Sequence, residues 1–173
     1  MKRLACFGMM AVGMTLWTGC GKSAAPAPTP AAGPSLPQRA QPRLPTLKLW
    51  LGAQELVAEV AATPAQIQTG MMFRTNLVAT EGMVFVLPFA HRAGFWMMNC
   101  PTPLSCAYID PQGVIQEIHD MEPFNTNTIV ANSDNIFYVL ETARGWFERN
   151  GVRPGMVVRT ERGSLADTFR RRR

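Results

Sequence analysis

Histidine and cysteine are scarce in this chain, at two and four among 173 residues. A Cys₂His₂ metal set would need His91, His119, Cys100 and Cys106 together, and neither pair has the close spacing of zinc sites. No small-residue elbow surrounds Ser105, and no cysteine-nucleophile signature surrounds Cys106, so serine and cysteine hydrolase chemistry has no local basis. No apolar run reaches the roughly 20 residues of a membrane-spanning helix. Internal repeats are lacking, as is the strand–helix alternation of a doubly wound sheet. No cofactor fingerprint is present, and none is expected. Positive charge is also missing where a nucleic-acid protein would need it. The net charge is +5, but Thr46 to Leu165 carries eight basic residues against eleven acidic ones, or −3. The excess lies at the ends, so no nucleic-acid partner is expected.

What is present begins with residues 1–19, which read as an export signal. Lys2 and Arg3 form the charged start and Leu4 to Leu16 the short apolar run. It ends Trp17-Thr18-Gly19-Cys20, which resembles the lipobox of bacterial lipoproteins, although Trp17 stands where an aliphatic residue is usual. That resemblance implies that Cys20 becomes the acylated N-terminus and that the membrane is a partner through the lipid anchor. Gly21, rather than Asp, follows it, which implies the outer membrane facing the periplasm. Cys6 leaves with the signal and Cys20 takes lipid, so Cys100 and Cys106 remain. In an exported protein such a pair invites a disulfide. Pro101 and Pro103 allow the turn it would need; two buried free thiols are the alternative.

Residues 20–45 read as a tether, with seven of the fourteen prolines between Gly21 and Pro45. Extended at about 3.1 Å per residue, it would reach ~75 Å. The globular domain follows at 46–165. Leu47 to Leu51 and Glu55 to Val60 read as a hairpin. Thr63-Pro64-Ala65-Gln66 is a capping box that starts a short helix. Apolar strands follow at Gly82–Leu87, Phe95–Asn99 and Leu104–Ile109. The turn Asp110-Pro111-Gln112-Gly113 leads into Val114–Ile118. Met121 to Asp134 reads as a long surface loop, and Ile136–Glu141 as a buried strand. Thr142–Asn150 is expected to be a second short helix closed by Gly151, with a last strand at Met156–Thr160. The Arg-rich residues 166–173 are expected to be a disordered tail. The fold class is therefore α+β: β-rich, with a small barrel-like or strongly curved, mostly antiparallel sheet and two short helices.

Five stretches occur in the order and spacing of the family DUF192: Gly70-Met71-Met72-Phe73-Arg74, Gly82-Met83-Val84-Phe85, Phe95-Trp96-Met97-Met98-Asn99, Ile109-Asp110-Pro111-Gln112-Gly113 and Tyr138-Val139-Leu140-Glu141. The resemblance spans about Leu47 to Glu161. It implies a small β-rich, barrel-like domain, often exported, and carries no established activity. Cys100 replaces the family's usual Thr, Ser105 its Asp, and Met156 a common acidic residue.

Three residues are the site candidates. Arg74 at the end of the first helix could take an anionic group, or serve the helix dipole. Trp96 could stack on a ligand or fill core. Asn99 at the proline turn could orient a ligand or satisfy backbone. The expected partner of this face is a small molecule, a glycan or an envelope protein. An alternative is an envelope hydrolase with Asp110 or Glu141 as general base, although turn chemistry explains the first and a strand-to-helix junction the second. Met71, Met72, Met97 and Met98 are soft enough for copper. Strand alternation would put Met97 and Met98 on opposite faces, which favours core filling.

Overall fold

The computed structural model of the chain describes residues 36–169. The signal, Cys20, the start of the tether and Arg170 to Arg173 lie outside the described residues. Strand β1 (Thr46–Leu51) buries Leu47, Leu49 and Leu51 on one face and turns at Gly52, which takes the positive φ of +65°. It pairs antiparallel with β2 (Gln54–Ala61), as the hairpin pattern predicts. Helix α1 (Pro64–Thr69) carries the expected capping box: the Gln66 N–H donates to Thr63 Oγ1 at 3.3 Å, and the Thr63 N–H donates to Gln66 Oε1 at 3.0 Å. This short crossover delivers β3 (Glu81–His91) parallel to β2.

The chain then forms β4 (Gly94–Phe95), β5 (Leu104–Ile109), β6 (Ile115–Met121), β7 (Ile129–Val130) and β8 (Ile136–Ala143). Helix α2 (Trp146–Arg149), β9 (Val158–Thr160), β10 (Gly163–Ser164) and α3 (Leu165–Phe169) complete it. The main sheet has eight strands in the order β10-β9-β1-β2-β3-β8-β5-β6, all antiparallel except β2–β3, and β4 pairs with β7 separately. Strands β3, β8 and β5 are covered on both faces, hence their continuous apolar runs. One face packs Leu49, Leu56, Val84, Ala107, Leu140 and Phe147. The other packs Met71, Met83, Phe85, Cys106, Tyr108 and Val139.

The main departures from expectation have local causes. The sheet is not closed into a barrel: β10 and β6 remain as its edges, and an isolated bridge between Val114 and Val157 links only the residues entering β6 and β9. Among the described residues there are three short helices rather than two. Residues 166–169, expected in the disordered tail, belong to α3, where Leu165 is buried and the Phe169 ring lies 5.9 Å from that of Tyr138. The expected helix from Thr142 shrinks to α2, because β8 continues through Ala143 along β5. Strand Phe95–Asn99 is likewise cut to Gly94–Phe95, and the expected surface loop supplies β7 as its partner. Because residues 98–99 form a turn, strand alternation does not apply there, and Met97 and Met98 both pack on the second cluster.

The end of the expected tether is part of the folded unit. Gln41 Nε2 donates to the carbonyls of Gln66 and Gly70 at 3.2 and 2.9 Å, capping α1. The Leu44 N–H donates to Glu59 Oε2 at 2.7 Å, and the Val60 N–H to the Pro45 carbonyl at 2.9 Å.

Candidate functional site

The three site candidates do not form one face. Arg74 is committed to Glu59: Nη1 donates to Oε1 and Nη2 to Oε2, both at 2.8 Å. Their side chains are only 10% and 5% exposed. Glu59 also accepts from Arg43 at 2.9 Å and from the Leu44 backbone. Burial pushes the Glu59 carboxyl up, but the Leu44 N–H and the Arg74 and Arg43 guanidiniums outweigh it and hold it below the ordinary carboxylate range. Arg74 Nε is buried without a partner. A guanidinium held this way is a structural clamp, not an anion receptor.

Asn99 adopts a left-handed backbone, φ +56°, and its carbonyl accepts from the Phe73 N–H at 2.7 Å. It lines a surface hollow with Phe73, Met98 and Phe124, away from Trp96. Trp96 is the candidate that does line a pocket. It is 38% exposed and stands beside Met71, Met72, Phe85, Phe95 and Cys100 around a cavity of about 40 Å³. Glu141 completes the lining.

Glu141 is the residue that sequence reasoning undervalued. On β8 it sits between Met83 of β3 and Cys106 of β5 in cross-strand register, on the same face as Val139. It is 4% exposed and, among the described residues, has no hydrogen bond or ion pair. Burial pushes its carboxyl up to about 8. The backbone here is drawn close: a Cβ on Gly82 would lie 2.5 Å from the Glu141 carbonyl, so this position of the second motif excludes a side chain. A signal was available, since Glu141 is the only acidic or basic residue in the apolar run Ile136–Ala143. Its place near the strand's end concealed that both faces are covered.

Four of the five stretches that carry the family resemblance meet at this cavity: Gly70, Met71 and Met72; Phe85; Phe95 and Trp96; and Glu141. The fifth is structural. Asp110 Oδ1 accepts from the N–H groups of Gln112 and Val114, each at 2.9 Å, and closes the β5–β6 turn. Asp110 lies four residues along β5 from Cys106, the cross-strand neighbour of Glu141. At about 3.3 Å per residue that is roughly 13 Å, so the two carboxyls form no acid/base pair.

Adjoining the cavity, and sharing Ile67, Gln68 and Phe95 with it, is an apolar groove of about 420 Å³. Leu87, Pro88, exposed Phe89, His91 and Ala93 line it. No Lys or Arg lines either space.

Of the two readings of Cys100 and Cys106, a disulfide or two buried free thiols, the structure has the second: both are free and buried. Cys106 is fixed in mid-strand between Glu141 and His119, whereas Cys100 lies beyond the Asn99 turn. Burial pushes both thiols up to about 12. No three His, Cys, Asp or Glu side chains converge as a metal set among the described residues. His119 instead contacts Glu117 at 2.8 Å, and His91 the Phe89 carbonyl at 2.9 Å. Ser105 donates to Asp120 and accepts the Gly145 N–H at 2.8 Å, a structural tie between β5, β6 and the start of α2.

The sequence model of the family described as DUF192, Uncharacterized ACR, matches residues 48–160. No curated protein matches the chain. Among solved structures, a protein from Sinorhizobium meliloti 1021, provisionally described as a transcription regulator, is similar at 28% identity and TM-score 0.66, over 70% of this chain and 98% of that one. A protein of unknown function from Novosphingobium aromaticivorans DSM 12444 is similar at 29% identity and TM-score 0.62, over 84% and 99% of the two chains.

Proposed function

The chain belongs to the uncharacterised family DUF192, and from that premise we propose that it is an envelope-anchored lipoprotein whose folded part is a non-enzymatic binding module. The ligand is a small molecule, seated with its polar end at Glu141 and its apolar part in the adjoining groove. One observation carries this reading: four motif stretches, distant in sequence, surround a single cavity floored by an unpaired carboxyl. A structural core needs no such group, because an unpaired buried carboxyl costs stability. Trp96 at 38% exposure forms the rim. The polar floor and apolar walls fit the general pattern of ligand pockets.

The description of the S. meliloti structure as a transcription regulator finds no support in the charge of this domain. DNA binding draws most of its affinity from phosphate contacts, and the folded stretch is at −3. For anchoring, the argument remains the Lys2–Leu16 signal and Cys20. With residues 36–45 docked on the domain, the span from Cys20 to Leu36 would reach roughly 50 Å at about 3.1 Å per residue. Intact-mass analysis of membrane-extracted protein is expected to give a chain starting at an acylated Cys20; an unmodified Cys20 overturns the anchor.

A thermal-shift screen of the protein against neutral, cationic and anionic small molecules and peptidoglycan fragments tests the module. A ligand at 100 times its dissociation constant adds about 2.7 kcal/mol. The shift is expected to vanish in Trp96→Ala; a shift that survives this change places the ligand elsewhere. A second reading, an envelope hydrolase, draws on the same carboxyl, since a group that keeps its proton to about 8 can act as a general acid. Glu141→Gln separates the two, because an enzyme would lose turnover while retaining substrate binding.

A further inference from the structure

We propose that the Glu141 cavity receives a primary ammonium group, and that the ligand is an amphiphilic amine whose hydrocarbon part lies in the groove along Leu87, Pro88 and Phe89. The proposal rests on the binding-module reading and names its ligand class.

Size comes first. A cavity of about 40 Å³ has room for a small head group such as an ammonium, and hydrogen bonding separates that head from a trimethylammonium, which has no N–H to offer the carboxyl.

Charge comes next. The one carboxyl lining the cavity is that of Glu141, and no Lys or Arg lines cavity or groove. Arg74, the cation nearest in sequence, is held by both oxygens of Glu59. An anionic head would therefore find no counter-charge, whereas a cation supplies the partner that Glu141 lacks.

The walls agree with a cation. Phe85, Phe95 and Trp96 line the cavity, and the first two rings meet edge to face at 4.9 Å. Ring faces attract ammonium groups, more strongly when water is excluded. Gln68 and Thr69 also line the cavity, and the Thr69 hydroxyl, which donates to the Ala65 carbonyl at 2.8 Å, keeps lone pairs to accept with. The groove adjoins the cavity at Ile67, Gln68 and Phe95 and is predominantly apolar, which suits an alkyl chain.

The test uses the full-length protein and three probes of equal chain length: hexylamine, hexan-1-ol and hexyltrimethylammonium, titrated at pH 7.5 by calorimetry. Hexylamine is expected to bind at least about tenfold more tightly than either of the others, because only it brings a charged N–H donor to the buried carboxyl. Glu141→Gln, checked for its melting temperature, is expected to bring hexylamine down to the affinity of the alcohol. Should that variant fail to fold, the preference among the three probes in the native protein still decides. Equal binding of amine and alcohol overturns the ammonium assignment and leaves the module standing. Equal binding of hexyltrimethylammonium overturns it too, since attraction to the acidic surface would then suffice. Binding of none of the three removes both the assignment and the pocket as the module's site.

Discussion

A carboxyl that enters a folded core without a partner keeps its proton, and the consequence for Glu141 is measurable. Its value rises from the ordinary 4.5 to about 8 on folding. Between those limits the folded chain holds a proton that the unfolded chain releases. This group therefore makes stability fall as pH rises from 4.5 to about 8, and level off above. Melting curves of the native protein and Glu141→Gln should diverge with rising pH, the variant gaining on the order of a few kcal/mol by pH 8. Parallel curves would mean that Glu141 is ionised and paired. The cysteines make a second prediction at this scale. With both thiols pushed up to about 12 by burial, the thiolate is a trace species at pH 8. Iodoacetamide should label neither Cys100 nor Cys106 in the native protein and both in denaturant. Rapid native labelling of Cys100 alone would report an opening of the cavity it lines.

At the scale of elements, Glu59 of β2 ties three segments together: the residues entering β1, the turn after α1, and β2 itself. Breaking a buried pair by removing one partner costs about 3–5 kcal/mol. Arg74→Met should cost this much in urea unfolding, and the double change Glu59→Gln with Arg74→Met should recover a large part of it. If the single change costs less than about 1 kcal/mol, the pair is not the clamp its geometry indicates. Because Glu59 is held below the ordinary carboxylate range, its contribution is fully present above that range and is lost as pH falls below it, through the lowered value of the folded state. This clamp also marks where sequence reading stops. The Thr63–Gln66 capping box and the Asp110 turn are legible because every partner lies within about four residues. Arg74 finds Glu59 fifteen positions upstream, reached because Phe73 takes a left-handed φ of +62°. Nothing in the local pattern announces that turn. The two-residue pairing of β4 with β7 is equally non-local, so Met121–Asp134 read as loop. Glu141 was legible only as an anomaly, a single charge in a buried strand.

For the whole molecule, the boundaries of the folding unit follow from what the ends of the described chain touch. Composition sets the start at Thr46 and the end at Leu165, since proline lies before and arginine after. The contacts extend it on both sides. Gln41 caps α1, Arg43 and Leu44 bind Glu59, and the Thr168 and Thr160 hydroxyls share a hydrogen bond across α3 and β9. A Thr46–Leu165 fragment loses all of these and leaves Glu59, at 5% side-chain exposure, with Arg74 as its remaining partner. Each lost hydrogen bond to a charged group costs about 1.5–3 kcal/mol, and each neutral one about 1. For a domain of this size 1 kcal/mol corresponds to roughly 3–5 °C. The fragment should therefore melt at least about 10 °C below one spanning Leu36–Phe169. Adding back residues 36–45 alone should restore most of the difference, because the charged contacts lie there. Equal melting temperatures would show that residues 36–45 only rest on the domain, and the folding unit would then start at Thr46 as composition suggests.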